Sequence, residues 1–143
     1  MKRQILAFIL AIPLLLGLSV LQSLRGQTCS DDEGMVKSYV QSISSLVGTV
    51  RKESLSDFKK DYHEQTCLSQ LTLSLGIVNS LIDCLNKAAK APAVTPQQVA
   101  AIKSELQKYD KLESNLKQDR NSLKAAKNTK SAKSIIGKFT ISS

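Results

Sequence analysis

The sequence predicts an all-α protein, a small bundle of about four main helices around a central apolar helix at residues 66–89, with a short C-terminal helical segment. Three observations support this fold class. Apolar residues recur at a spacing of three and four through most of the chain after residue 28. Capping residues and prolines mark helix boundaries. The apolar positions of residues 66–89 cover more than half of a helix circumference, so that helix needs neighbours on two sides.

The first 27 residues have the features of a secretory signal peptide. Lys2 and Arg3 form a positive start, residues 5–21 form an apolar run, and small residues near Ser19 offer a cleavage site. This run is close to the lower length limit for crossing a bilayer, so an uncleaved membrane anchor is the alternative. We therefore expect a secreted or periplasmic protein with one helical-bundle domain at residues 28–143.

The first helix of this domain is predicted to begin near Ser30 and to end near Lys52. Ser30 can cap the helix and Glu33 stands at the capping-box position. The apolar positions that follow at helical spacing are Val36, Tyr39, Val40, Ile43, Leu46, Val47 and Val50.

A shorter second helix is predicted to open at Ser54 or Ser56, with Leu55, Phe58 and Tyr62 on its apolar side. If this helix continued without interruption, that side would face away from the apolar positions that begin at Leu68. We expect a break or kink near residues 63–66. One continuous helix is the alternative.

The central helix has two apolar seams. The first seam contains Leu68, Leu71, Leu75, Val78, Ile82, Leu85 and Ala89, and the second contains Leu73, Ile77, Leu81, Cys84 and Ala88. Residues 71–77 also alternate as a half-buried strand would. The helical spacing persists to Ala89 without a proline, which favours the helix.

The clearest boundary in the sequence is the proline-containing stretch at residues 91–96. Thr95, Pro96 and Gln98 are typical of a helix start, and the fourth helix is predicted to run from there to about Lys127. The last residues, 131–143, are expected to form one or two helical turns that dock on the bundle.

Three cysteines in an exported chain suggest one disulfide and one free thiol. Cys67 and Cys84 are about 25 Å apart along one helix, too far to pair with each other. Cys29 is therefore the shared partner. We favour the Cys29–Cys67 pair because Cys84 fits an apolar seam, and Cys29–Cys84 is the alternative.

The sequence gives little support for an enzyme. His63 is the only histidine, so catalytic arrangements that use histidine all depend on it, and no nucleophile, phosphate-binding or metalloprotease motif occurs. His63 and Cys67, four residues apart, could share a metal ion, but a solvated histidine at a polar helix end is the favoured interpretation. We predict no catalytic residues, no metal and no cofactor.

The positive charge is concentrated in the last third of the chain. Lys117, Arg120, Lys124 and Lys127 follow each other at spacings of three and four, which predicts a basic face on the fourth helix. The natural partner is unknown, and the classes that fit are an acidic protein, an anionic glycan or an anionic membrane surface. Nucleic acid is disfavoured, because the stripe contains no aromatic residues for stacking. An ordinary solvated lysine-rich face is the alternative.

These observations predict a non-enzymatic binding module that acts through its basic face. The alternative function is a carrier that holds a small hydrophobic ligand or lipid between the two seams of the central helix. The same leucine pattern is equally compatible with a closed core that contains no ligand cavity.

Overall fold

The structure, a computed structural model, describes the backbone of residues 5–139 and 141 and the side chains of residues 29–139 and 141. In this part of the chain there are four helices and no strands, so the predicted all-α class is confirmed. The helices are α1 (Ile5–Lys52), α2 (Lys60–Ala89), α3 (Pro96–Lys124) and α4 (Thr129–Gly137). The predicted signal peptide, residues 1–27, lies outside the residues whose side chains are described.

Helix α2 is the central element of the bundle. It packs extensively against α1 on one side and α3 on the other, whereas α1 and α3 contact each other little. Six of its buried apolar residues come from the two predicted seams: Leu71, Leu75, Val78, Leu81, Leu85 and Ala88. Cys67 is also buried and lies outside both seams. By length and composition alone α2 could also span a membrane, and it is the one helix in the described part of the chain for which this holds. In the bundle, these apolar residues instead pack against α1 and α3.

The core is continuous from one end of the bundle to the other. The fully buried side chains that the other helices contribute are Val36, Ile43 and Val50 of α1, Ile102, Leu116 and Leu123 of α3, and Ile136 of α4. Burying such side chains stabilises the fold by about 1.5–3 kcal/mol each. The helical spacing in the sequence therefore identifies the core correctly.

Helix α3 begins at the predicted boundary. The Thr95 side chain accepts a hydrogen bond of 3.3 Å from the Gln98 backbone N–H, and the Gln98 side chain accepts one of 2.8 Å from the Thr95 backbone N–H. This capping box satisfies two backbone donors that a helix start leaves unpaired. The helix ends at Lys124, earlier than the predicted Lys127, because Ala125 closes the last turn with a hydrogen bond to the carbonyl of Asn121.

The predicted start of the first helix near Ser30 is wrong. Helix α1 already includes this region, because no proline or glycine pair interrupts the chain there. Asp32 is buried inside the helix and accepts a hydrogen bond of 2.8 Å from the Ser80 hydroxyl. The buried carboxylate thus has a partner on α2 rather than at a helix terminus.

The predicted short second helix is also absent, and α2 is continuous through residues 63–66, as the alternative had it. Leu55 and Phe58 lie in the connection between α1 and α2, where the Ser54 hydroxyl accepts a hydrogen bond of 3.2 Å from the Asp57 N–H. Phe58 turns into the core, whereas Tyr62 is 65% exposed. The conflict between apolar faces disappears because these three residues do not share one helical side.

The C-terminal segment docks on the bundle as predicted. Helix α4 contacts α1, α2 and α3, and its Ala132 and Ile136 are buried together with Phe139 beyond the helix. Asn128 caps its start by accepting a hydrogen bond of 2.8 Å from the Ser131 N–H.

Candidate interaction surface at the basic end of the bundle

The helix order brings distant parts of the sequence together at one end of the bundle. The connections at residues 53–59 and 90–95 are too short to cross the length of a helix, so consecutive helices run antiparallel. The end of α1, the start of α2, the end of α3 and all of α4 therefore meet. We call this region the basic end and define it as residues 50–64 and 113–139.

The whole net charge of the described side chains is located at the basic end. This region has eleven Lys or Arg residues and six Asp or Glu residues, a formal charge of +5. The remaining described side chains include six residues of each sign, a formal charge of zero. Within the basic end, residues 113–139 carry the excess, with seven basic and two acidic residues. The fold therefore places the excess positive charge of the described side chains at one end of the bundle.

The four predicted basic residues all lie at this end, but in different settings. Lys117 forms an ion pair with Glu113, at 2.7 Å. Arg120 is half-buried, Lys124 is the last residue of α3, and Lys127 lies in the connection to α4. Helix α3 ends at Lys124, so Lys127 lies outside the helix on which the prediction placed it.

A second basic group lies on α4 and α1, and its α1 member was not predicted from the sequence. Arg51, Lys130 and Lys133 line a shallow depression together with Leu55, Ser134 and Gly137. Lys130 and Lys133 continue the spacing of three from Lys124 and Lys127. Arg51 could be found only from the structure, because it is more than 70 residues away from them in the chain.

Asp119 lies on α3 at the basic end, and burial disfavours its charged form. One of its carboxylate oxygens is buried and has no hydrogen-bond partner among the described residues. Removal from water disfavours the charged form, and this burial raises the pKa of Asp119 from its ordinary value of 3.8 to about 6. The carboxylate therefore stays charged at neutral pH, at a cost to stability.

His63 is buried, which contradicts the predicted solvated position. Its ring stacks on Phe58 with centroids 4.7 Å apart, and only 6% of the residue is exposed. Its Nδ1 is 2.9 Å from the carbonyl oxygen of Lys59, and its Nε2 is 3.3 Å from a carboxylate oxygen of Glu53. The ring thus holds the connection between α1 and α2 in place.

The favoured disulfide pairing is wrong, and the alternative is correct. Cys29 is bonded to Cys84, with their Cα atoms 5.8 Å apart, and Cys67 is a buried free thiol. The antiparallel packing of α1 and α2 places residue 84 beside residue 29, whereas Cys67 lies more than four turns further along α2.

The surroundings of Cys67 also bear on metal binding. Burial raises the pKa of its thiol to about 12, which disfavours the thiolate at neutral pH. In the described part of the chain, no group of three or more His, Cys, Asp or Glu residues is arranged to hold a metal ion.

A groove of about 410 Å³ lies between α1 and α3. Val36, Tyr109 and Leu112 provide its apolar lining, and Lys37, Lys108 and Lys111 are among its polar residues. The groove exists because α1 and α3 both pack on α2 and contact each other little. Most residues of the two seams of α2 are covered by the neighbouring helices, whereas Leu73 of the second seam is 49% exposed.

Comparison of the chain with known protein families, with curated proteins and with solved structures found no match.

Proposed function

We propose that this protein is an exported, non-enzymatic binding module that contacts an anionic partner through its basic end. The observation that carries the proposal is the location of the whole net charge of the described side chains, +5, in this one region. The disulfide between Cys29 and Cys84 supports export, because such bonds persist in oxidising compartments.

Long-range electrostatics favours this use of the region. Clustered charges of one sign raise the local concentration of an oppositely charged partner and speed its association, an effect that salt screens. A protein with the same charge spread evenly would gain less. Four lysines at intervals of three, Lys124, Lys127, Lys130 and Lys133, form the most extended part of the cluster.

The test measures binding to heparin, a soluble polyanion, at several salt concentrations. One variant replaces Lys124, Lys127, Lys130 and Lys133 with Gln, leaving Lys117 and Arg120 unchanged because the first is ion-paired and the second half-buried. A control variant replaces four exposed lysines elsewhere, Lys87, Lys90, Lys103 and Lys108, with Gln. Both variants lose the same charge.

We expect the basic-end variant to lose at least about tenfold in affinity at low salt, and the control to lose much less. The affinity of the unmodified protein should fall steeply with added salt. Equal losses in the two variants would show that only total charge matters, and an unaffected basic-end variant would contradict the proposal directly.

A carrier of a small apolar ligand is the second candidate, and the groove between α1 and α3 is the observation that favours it. Its volume is within the range of about 300–1,000 Å³ that ligand sites occupy. The test is saturable uptake of a fluorescent fatty-acid probe, weakened by Tyr109→Ala. A folded protein that never takes up the probe would rule out this function.

A further inference from the structure

The basic end also exposes an apolar side chain in the middle of its cations. Leu55 is 49% exposed and lines the same depression as Arg51, Lys130 and Lys133. Single exposed apolar residues are normal on a protein surface, so the relevant feature of Leu55 is that three cations line the same depression. The depression therefore combines two kinds of contact in one place.

The connection that carries Leu55 is held in a defined conformation. The Ser54 hydroxyl is 2.7 Å from the Ser56 hydroxyl and accepts a hydrogen bond from the Asp57 N–H. Phe58 is buried and stacked on His63, which anchors the connection from the other side. Because Phe58 fills the core position of this segment, Leu55 is left pointing outward in a fixed turn.

We propose that the depression docks on an anionic lipid surface, with Leu55 entering the interface and Arg51, Lys130 and Lys133 contacting the head groups. This inference rests on the proposed function and names the partner. Charge complementarity argues for an anionic lipid surface: Lys130 and Lys133, which line the depression with Leu55, belong to residues 113–139, which carry an excess of five positive charges. A soluble polyanion would use the cations alone, whereas a bilayer interface also accepts an apolar side chain.

The acidic groups nearest to Leu55 in the chain leave this arrangement intact. Glu53 faces His63 at 3.3 Å, and Asp57 accepts a hydrogen bond from the Ser54 hydroxyl within the turn. On α2, Asp61 is exposed and Glu64 pairs with Lys60 at 3.6 Å, and neither carboxylate lines the depression. The depression itself is lined by three cations and no carboxylate.

The test uses protein purified from the exporting cell and two ligands, heparin and vesicles of phosphatidylcholine with or without phosphatidylglycerol. Leu55→Ser removes the apolar contact. Leu73→Ser is a matched control, because Leu73 is also 49% exposed and lies about 20 Å along α2 from Lys60. Lys130→Gln with Lys133→Gln removes two head-group contacts. Thermal unfolding checks that each variant is folded.

We expect vesicle binding to require phosphatidylglycerol and to weaken about fivefold in Leu55→Ser, the factor for withdrawing roughly half of a leucine side chain from an apolar environment. Heparin binding should be unchanged in this variant, and Leu73→Ser should leave both ligands unaffected. The double lysine variant should weaken both.

The outcomes separate this inference from the proposed function. If Leu55→Ser binds vesicles as tightly as Leu73→Ser does, the lipid surface is overturned as the partner, while charge-dependent heparin binding would still support the basic end as a binding region. If the protein binds neither heparin nor anionic vesicles, both proposals fail together.

Discussion

The Nε of Arg51 donates a hydrogen bond of 2.7 Å to the carbonyl oxygen of Gly137, joining the end of α1 to the end of α4. A second, longer hydrogen bond of 3.5 Å runs from the same guanidinium to the carbonyl oxygen of Phe139. The last carbonyls of a helix have no partner within the helix and carry its partial negative charge. A single arginine therefore stabilises the docked position of α4.

Replacing Arg51 with Gln should loosen α4. We expect a loss of about 1–2 kcal/mol in unfolding free energy, because hydrogen bonds from a charged donor and the dipole interaction are both removed. Urea denaturation measures the loss, and hydrogen exchange should locate it in residues 129–137. The neighbouring exposed Lys52→Gln is the control, and an equal effect in both variants would contradict the tethering role.

Replacing Val78 with Asp should destabilise the bundle strongly. Val78 is fully buried in α2, so the substitution places an unpaired charge in the core, and we expect a loss of roughly 4 kcal/mol or more. Asn79→Asp puts the same side chain on the exposed side of the same helix and should have little effect. Circular dichroism during urea denaturation compares them. Tolerance of Val78→Asp would mean that α2 is not the core helix.

Removing the disulfide should cost much of the stability. The bond between Cys29 and Cys84 closes a loop over a sequence separation of 55, for which chain entropy predicts about 4 kcal/mol. We expect Cys29→Ser to unfold at a correspondingly lower urea concentration. A double variant with Cys84→Ser should be no less stable than the single one, because the bond is already absent.

The thiol of Cys67 should be unreactive in the folded protein. It is buried and burial raises its pKa to about 12, so both access and ionisation are unfavourable. Without reductant, a thiol reagent should modify no cysteine of the native protein and one cysteine after denaturation, at Cys67. Modification at Cys29 or Cys84 instead would refute the pairing.

Asp119 should make the stability depend on pH. Its pKa is about 6 in the folded protein and 3.8 ordinarily, so between these values the folded state binds more protons than the unfolded chain. The contribution of this raised pKa is therefore fully present below about pH 4 and is lost as the pH rises to about 6.

Asp119→Asn should remove that dependence. Its unfolding midpoint in urea should match that of the unmodified protein near pH 4 and exceed it at pH 7.5. Asp110→Asn, an exposed change on the same helix, is the control for a general charge effect. If the stability of the unmodified protein relative to Asp119→Asn instead increased with pH, the pH dependence would have the opposite sign and would contradict this prediction.

The fold could be predicted from the sequence to the extent that local patterns decide it. Apolar spacing identifies α2 and its two neighbours, and the capping box of Thr95 and Gln98 fixes the start of α3. These features need no knowledge of distant residues. The region around Leu55, Phe58 and Tyr62 could not be predicted, because its spacing fits a helix and the turn forms only when Phe58 finds a place in the core.

The candidate site, too, could be predicted only where its residues are close in the sequence. Lys117, Arg120, Lys124 and Lys127 are close in sequence and could be recognised together. Arg51 and Leu55 join the same end only through the antiparallel packing of the helices. The disulfide partner of Cys29 likewise depends on which residue of α2 lies beside it, a register that apolar spacing leaves open.

The disulfide also bears on the order in which the chain assembles. Cys29 and Cys84 both lie in the first helix pair, so the bond can close before α3 and α4 have been synthesised. At that stage the side of α2 that packs against α3 has no neighbour and exposes its apolar residues. Helix α3 then packs against a helix pair that the disulfide already joins. We expect the nascent chain to be most prone to aggregation after the disulfide has formed and before Leu123 of α3 is buried in the core.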